Sequence, residues 1–200
     1  MDRQYVDTVR LLLAVAPVIF ESPHFALKGG TALNLFVQDL PRLSVDIDVV
    51  FTDHVMEREQ VLKTIGEELL TAKARLERMG YSAILHKTQK GDEVKLLVAN
   101  QASQVKVEVN FVFRGTLLPV THRALVNSAC DLFTTAMELP VLAIPELYGS
   151  KLVAALDRQH PRDWFDVVAM MDRFGLEAEM VDCFVAYLAG HNRPVHEVLF

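Results

Sequence analysis

The stretch Ser44-Val45-Asp46-Ile47-Asp48-Val49-Val50-Phe51 constrains this chain more than any other. It is rich in β-branched residues and alternates apolar with acidic positions, which is the pattern of a half-buried strand. Side chains two apart share a face, so Asp46 and Asp48 point one way while Val45, Ile47 and Val49 point the other. Two carboxylates side by side repel, and holding them together is costly unless a cation neutralises them. Ligands made only of oxygen suit Mg²⁺ or Mn²⁺, with substrate phosphates and water completing an octahedral shell. Taken alone, the pair reads more readily as a solvent-facing acidic stripe on an amphipathic strand.

Two further features bear on it. His24 to Leu27 is a short strand candidate running into Lys28-Gly29-Gly30-Thr31, with Thr31 fifteen positions before Asp46. Glycines between a strand and a helix let backbone N–H groups approach an anion, and the helix N-terminus adds positive potential. The Thr31 hydroxyl can hydrogen-bond a phosphate oxygen or cap its own helix. A lone G-G-T is explained as well by a turn that needs glycine for its dihedral angles. In Val105-Lys106-Val107-Glu108-Val109-Asn110-Phe111 the valines take one face, and Lys106, Glu108 and Asn110 the other. If this strand neighbours the Asp46 strand, Glu108 becomes a third carboxylate; an exposed Lys–Glu edge is the plainer alternative. Three carboxylates suit two-metal phosphoryl transfer, where one ion activates the acceptor hydroxyl and the other grips the triphosphate.

Helical periodicity covers roughly residues 3–20, with Pro17 a kink or an early end. It resumes from Ala32 to Phe36, stopping before Pro41, and again from about Met56 to Met79, stopping at Gly80. Strand candidates follow at Tyr81–His86, Glu93–Ala99 and Gln104–Phe113, with turns at Gly91-Asp92 and at 100–103. Beyond Pro145 the pattern is helical: Pro145–Asp157, Arg162–Phe174 and Glu177–Ala189, separated by Pro161 and Gly175. Residues 115–144 hold short apolar stretches that neither period places. The expected fold is therefore α/β (α+β): a mixed sheet flanked by helices over residues 1–120, then a mainly helical C-terminal lobe over 121–200. The apolar ending 194–200 reads as unfinished, so a longer natural protein is expected.

At 51% hydrophobic residues, the chain has ample material for a core, and no run approaches the ~20 apolar residues of a membrane helix. The segment Leu11–Phe20 is short, helically spaced and lacks the marks of a signal peptide, so a cytoplasmic protein is expected. Cys130 and Cys183 stand apart and read as free thiols in a reducing compartment. The histidines show no metal-ligand spacing, and Trp164-Phe165 reads as core more readily than as a base-stacking pair. Net charge is −6, split as 14 Lys/Arg against 15 Asp/Glu in residues 1–120 and 6 against 11 in 121–200. Such a chain does not coat nucleic acid nonspecifically, and an RNA acceptor would have to meet a local basic patch. Candidates for one are Lys87, Lys90, Lys95, Lys106 and Arg114, with Arg158, His160 and Arg162.

Taken together, G-G-T, a helix and then R-L-S-V-D-I-D resemble the signature of the DNA polymerase β-like nucleotidyltransferase superfamily. More narrowly, L-K-G-G-T-A-L-N-L-F with P-R-L-S-V-D-I-D-V-V-F resembles the AbiEii/AbiGii group, toxins of type IV-like toxin–antitoxin and abortive-infection systems. So does E-L-Y-G-S-K-L-V-A-A-L-D-R-Q-H-P-R-D-W-F-D-V at 146–167. The resemblance implies an NTP-dependent nucleotidyltransferase that uses Mg²⁺ or Mn²⁺ and releases pyrophosphate. Gly29, Gly30 and Thr31 would bind the triphosphate, and Asp46, Asp48 and Glu108 would hold the metal, while Arg42 and Ser44, just before the acidic pair, would touch either phosphate or the neighbouring turn. Lys151 would contact NTP phosphates, where an ammonium neutralises the leaving pyrophosphate, and Asp163 would be a further functional acid. Without the resemblance, Lys151 reads as a solvated helix lysine and Asp163 as an acid at a helix N-terminus. Members of the group are expected to continue past residue 200 with more helices.

Three functions fit these residues. The first is transfer to RNA, such as a tRNA 3′ end, by a toxin with a cognate antitoxin. The second is transfer to a small-molecule or protein hydroxyl. The third is an NTP-binding module without catalysis.

Overall fold

The computed structural model describes residues 3–87, 93–110 and 115–200, and the side chains of all of these but Lys87, Glu93 and Asn110. The Gly91-Asp92 turn, Lys90, Arg114 and the expected strand end at 111–113 lie outside the described residues. Helix α1 (Arg3–Ile19) carries Pro17 in its last turn without ending there. Strand β1 (Phe25–Lys28) runs directly into the short helix α2 (Gly29–Ala32), which continues as a π-helical turn over Leu33–Val37. After β2 (Asp46–Phe51) come α3 (Arg58–Arg78), β3 (Ser82–Lys87), β4 (Glu93–Ala99) and β5 (Gln104–Asn110). The unassigned stretch holds β6 (Thr121–Ala124), α4 (Asn127–Phe133) and β7 (Glu138–Val141). Four helices close the chain: α5 (Ile144–Arg158), α6 (Pro161–Phe174), α7 (Ala178–Ala189) and α8 (Val195–Leu199).

The strands form one mixed sheet in the order β3-β4-β5-β2-β1-β7-β6. Strands β6 and β7, from the region grouped above with the helical lobe, complete one edge of this sheet, and the helical lobe begins at α5. They are four residues each, too short for a period of two to show. One face of the sheet is apolar: Ile47, Val49, Leu96, Val98, Val105, Val107 and Val109 are all buried, against Leu12 and Val15 of α1 and Ile65, Leu69 and Leu76 of α3. At ~1.5–3 kcal/mol for each large side chain buried, this layer supplies much of the driving force for folding. Burying that face leaves the alternate residues of β2, β4 and β5 on the other, which is where the charged groups stand. Helices α5, α6 and α7 pack together beyond β1 and β7. Gly149 allows α7 to approach α5 closely, since a Cβ there would lie 2.5 Å from the Phe184 nitrogen. Among the described residues no helix is long and apolar enough to cross a membrane, and both cysteines are free thiols.

Candidate active site between the sheet and the helical lobe

Strand register assembles a row of polar groups across five strands. His86 of β3 lies opposite Lys95 of β4, Lys95 opposite Glu108 of β5, Glu108 opposite Asp48 of β2, and Asp48 opposite Lys28 of β1. One step along, Asp46 lies opposite Lys106. Directly opposed residues share a face with Cβ atoms about 5 Å apart, so β2 and β5 set Asp46, Asp48 and Glu108 on one face of the sheet. Lysines already attend them: Lys95 Nζ is 2.9 Å and Lys106 Nζ 3.0 Å from Glu108, and Lys106 lies 3.9 Å from Asp46.

The protonation tendencies follow from this setting. Burial pushes the Asp48 carboxyl up from its ordinary range, Asp46 and Glu108 add to the rise, and Lys28 opposes it. The same burial pulls the Lys28 ammonium down, against the pull of Asp48 and Glu146. Burial also acts to raise Glu108, but hydrogen bonds from Lys95 and Lys106 outweigh it and hold that carboxyl below its usual value. A buried carboxylate beside two others is the environment a cation relieves.

Among the described residues, no three Asp, Glu, His or Cys side chains converge into a ready-made metal cage. Mg²⁺ is commonly held by one or two carboxylates, with the remaining positions taken by substrate phosphates and water. The oxygen-only pair Asp46 and Asp48 on one strand face has the right chemistry, while Glu108 is turned to its lysines.

The G-G-T turn abuts this pair. Gly29 has φ of +73°, and a Cβ there would collide with the Asp48 carboxylate, so both backbone conformation and space require glycine. At Gly30 a Cβ would lie 3.0 Å from both Arg42 Nη2 and Ser44 Oγ, which places those two expected phosphate contacts against the turn. Thr31 is fully buried, and its hydroxyl donates to the Asp46 carbonyl at 2.5 Å. In this arrangement it ties the turn to the acidic strand.

Facing the turn is a buried ion network. Asp166 has no exposed side-chain surface and accepts from Arg42 Nε (2.7 Å), Arg42 Nη2 (2.5 Å) and Asn34 Nδ2 (3.2 Å), with Lys151 Nζ at 2.6 Å. Lys151 also donates to Asp163 at 2.7 Å, and Arg158 lies 3.1 Å from the same acid. Burial works to raise Asp166, yet hydrogen bonds from Arg42 and the Lys151 charge keep its carboxyl below the ordinary range. Asp166 closes the stretch Arg162-Asp163-Trp164-Phe165-Asp166, where nothing local marks it as functional. Its partner Arg42 is 124 positions away, and no local pattern announces the pairing. The signal that could have found it is an acid on the apolar side of an amphipathic helix, between Asp163 and Met170, both buried.

Between these two walls lies a cavity of about 430 Å³. Lys28, Gly29, Gly30, Asp48 and Glu108 line its sheet side, and Lys151, Arg158, Asp157, Tyr187 and His191 its helical side. It is wide enough for a nucleotide. The described basic candidates divide: Lys95 and Lys106 stand on the sheet face, Arg158 on the cavity wall, and His160 and Arg162 at the exposed start of α6.

The family model described as nucleotidyl transferase AbiEii toxin, type IV TA system, matches residues 10–200. Among solved structures the fold is similar to MenT4, a nucleotidyltransferase toxin from Mycobacterium tuberculosis, with a TM-score of 0.68 at 19% identity, over 94% of this chain and 67% of that one. No curated protein matches the sequence at a significant level.

Proposed function

The chain belongs to the AbiEii family of nucleotidyltransferase toxins of type IV toxin–antitoxin systems, and from that premise we propose that it moves a nucleoside monophosphate from an NTP to RNA, such as a tRNA 3′ end, in the cytoplasm. The observation that carries this reading is the contrast between the two walls of the cavity. One offers a glycine turn and carboxylates, the other a buried lysine and a largely exposed arginine, Lys151 and Arg158. A triphosphate fits between them.

In this reading Gly29 and Gly30 let the phosphates approach the backbone. Arg42, fixed by Asp166, and Lys151 meet the β- and γ-phosphates and neutralise the leaving pyrophosphate. Asp163 holds Lys151 and Arg158 on the wall and yields part of their charge when the nucleotide arrives. Ser44 and Thr31 brace the turn. Asp46 and Asp48 would hold Mg²⁺ or Mn²⁺, with Glu108 joining when its lysines let go; such an ion supplies charge neutralisation and a more acidic acceptor hydroxyl. A cognate antitoxin is the expected partner.

The test combines purified protein, Mg²⁺ or Mn²⁺, and each α-labelled NTP in turn with total RNA, beside the Asp48→Ala variant. Label on a tRNA-sized band, absent with the variant, is the expected result. Label on protein or a small molecule instead, or on no acceptor at all, would overturn the RNA reading.

A further inference from the structure

We propose that the open face of β3, β4 and β5 is the acceptor platform, with Lys95 and Lys106 as its phosphodiester contacts. This inference rests on the reading that the acceptor is a nucleic acid.

Three observations lead there. The first is direction. The cavity takes in Lys28, Asp48 and Glu108 of the transverse row, while Lys95 and Lys106 are absent from its described lining. Phosphoryl transfer places the attacking and leaving oxygens roughly in line, on opposite sides of the phosphorus. With pyrophosphate leaving toward Lys151 and Arg158, the attacking hydroxyl comes from across the carboxylates, where the row continues through Glu108 and Lys95 to the exposed His86.

The second is cover. Helices α1 and α3 pack on the valine face of these strands. The opposite face keeps Ile84 53% exposed, across from Leu97, which in turn lies across from Lys106. An apolar pair flanked by Lys106, Lys95 and an exposed histidine suits sugar and base edges between phosphates.

The third is charge. Asp46, Asp48 and Glu108 are balanced by Lys28, Lys95 and Lys106, so the row is close to neutral. Lys95 and Lys106 are about one-third exposed, at 35% and 37%, and their shared partner is Glu108. A divalent cation on the aspartates tips the row positive and competes for Glu108. Both ammonium groups then turn to the anion nearest them on the sheet face, an RNA backbone. The platform is thereby coupled to loading of the site: RNA is held well only when the machinery is charged.

The experiment measures binding, without turnover. A fluorescein-labelled, tRNA-length RNA with a 3′-deoxy end is titrated with the protein in Mg²⁺ and in EDTA, by anisotropy, across a range of salt. Wild type is expected to bind more tightly in Mg²⁺. The pair Lys95→Gln with Lys106→Gln is expected to weaken binding about tenfold near physiological salt and to lower the salt slope by roughly 1.4, at about 0.7 for each single-strand phosphate contact. Glu108→Gln removes the negative charge that Lys95 and Lys106 share and is expected to tighten RNA binding in EDTA several-fold, an effect no folding defect imitates. Unchanged affinity and slope in the lysine variant, while wild type still labels RNA, would overturn the platform and leave the reaction standing. Wild type that neither binds nor labels RNA would overturn the acceptor reading and the platform with it.

Discussion

The sheet face around Glu108 and the junction around Asp166 are built from the same ingredients, carboxylates with lysine or arginine, yet they differ in burial. Asp166 has no exposed surface, Lys151 has 6% and Arg42 19%, whereas Glu108 has 29%, Lys106 37% and Asp46 48%. A buried pair, once formed, leaves an uncompensated charge in low dielectric if one member is removed, at a cost of about 3–5 kcal/mol. A partly exposed pair gains about 0–1 kcal/mol and exchanges readily with water, ions or a ligand. The junction is therefore settled by folding, and the sheet face is left to be settled by the substrate. One fixes where the helical lobe stands relative to the glycine turn; the other stays negotiable.

The comparison can be broken in several ways. The largest effect is expected from Asp48→Ala: at least a thousandfold loss of transfer, about 4 kcal/mol in the transition state. Its melting temperature in EDTA should stay close to wild type, because relief of the repulsion from Asp46 and Glu108 offsets the lost attraction to Lys28. A lowered melting temperature would mean the acidic pair is structural. Next comes Asp166→Ala, expected to cost about 3–5 kcal/mol in denaturant titration. A loss below about 1 kcal/mol would erase the distinction between the two regions. The third concerns acid. Asp166 and Glu108 are held below the ordinary carboxylate range. Their contribution is thus complete above about pH 4 and is lost as pH falls through the depressed folded values. Melting temperature should drop on that acid side, and Asp166→Asn should flatten the drop more than Glu108→Gln. The smallest effect is expected from Lys106→Gln, a change in stability under about 1 kcal/mol, read in the same titration.

Much of the site can be read from local pattern. The period of two in residues 44–51 and 105–109 places Asp46, Asp48 and Glu108 on polar faces before any coordinates are seen. The G-G-T between a strand and a helix predicts the turn that Gly29 makes. What local pattern lacks is partnership. That β5 runs parallel beside β2, in the register Asp48–Glu108, depends on the 52 residues between the two strands, Thr52 through Ser103, rather than on either strand alone. Asn34 and Asp166 look like ordinary polar residues of helices until the lobes meet. The two strands β6 and β7 are too short to declare themselves, and they take their conformation from the sheet edge they join. The π-helical turn at Leu33–Val37 has no signature against the α-helical spacing read there.

The bond between Arg42 and Asp166 also sets a clock. The two residues are 124 positions apart, and at translation rates of about 5–20 residues per second, Arg42 waits on the order of ten seconds for its acid to be made. Until α6 has emerged, the arginine beside the glycine turn and the lysine of α5 lack the acid that orients both. A growing chain thus carries its carboxylates and its turn well before it carries a finished cleft.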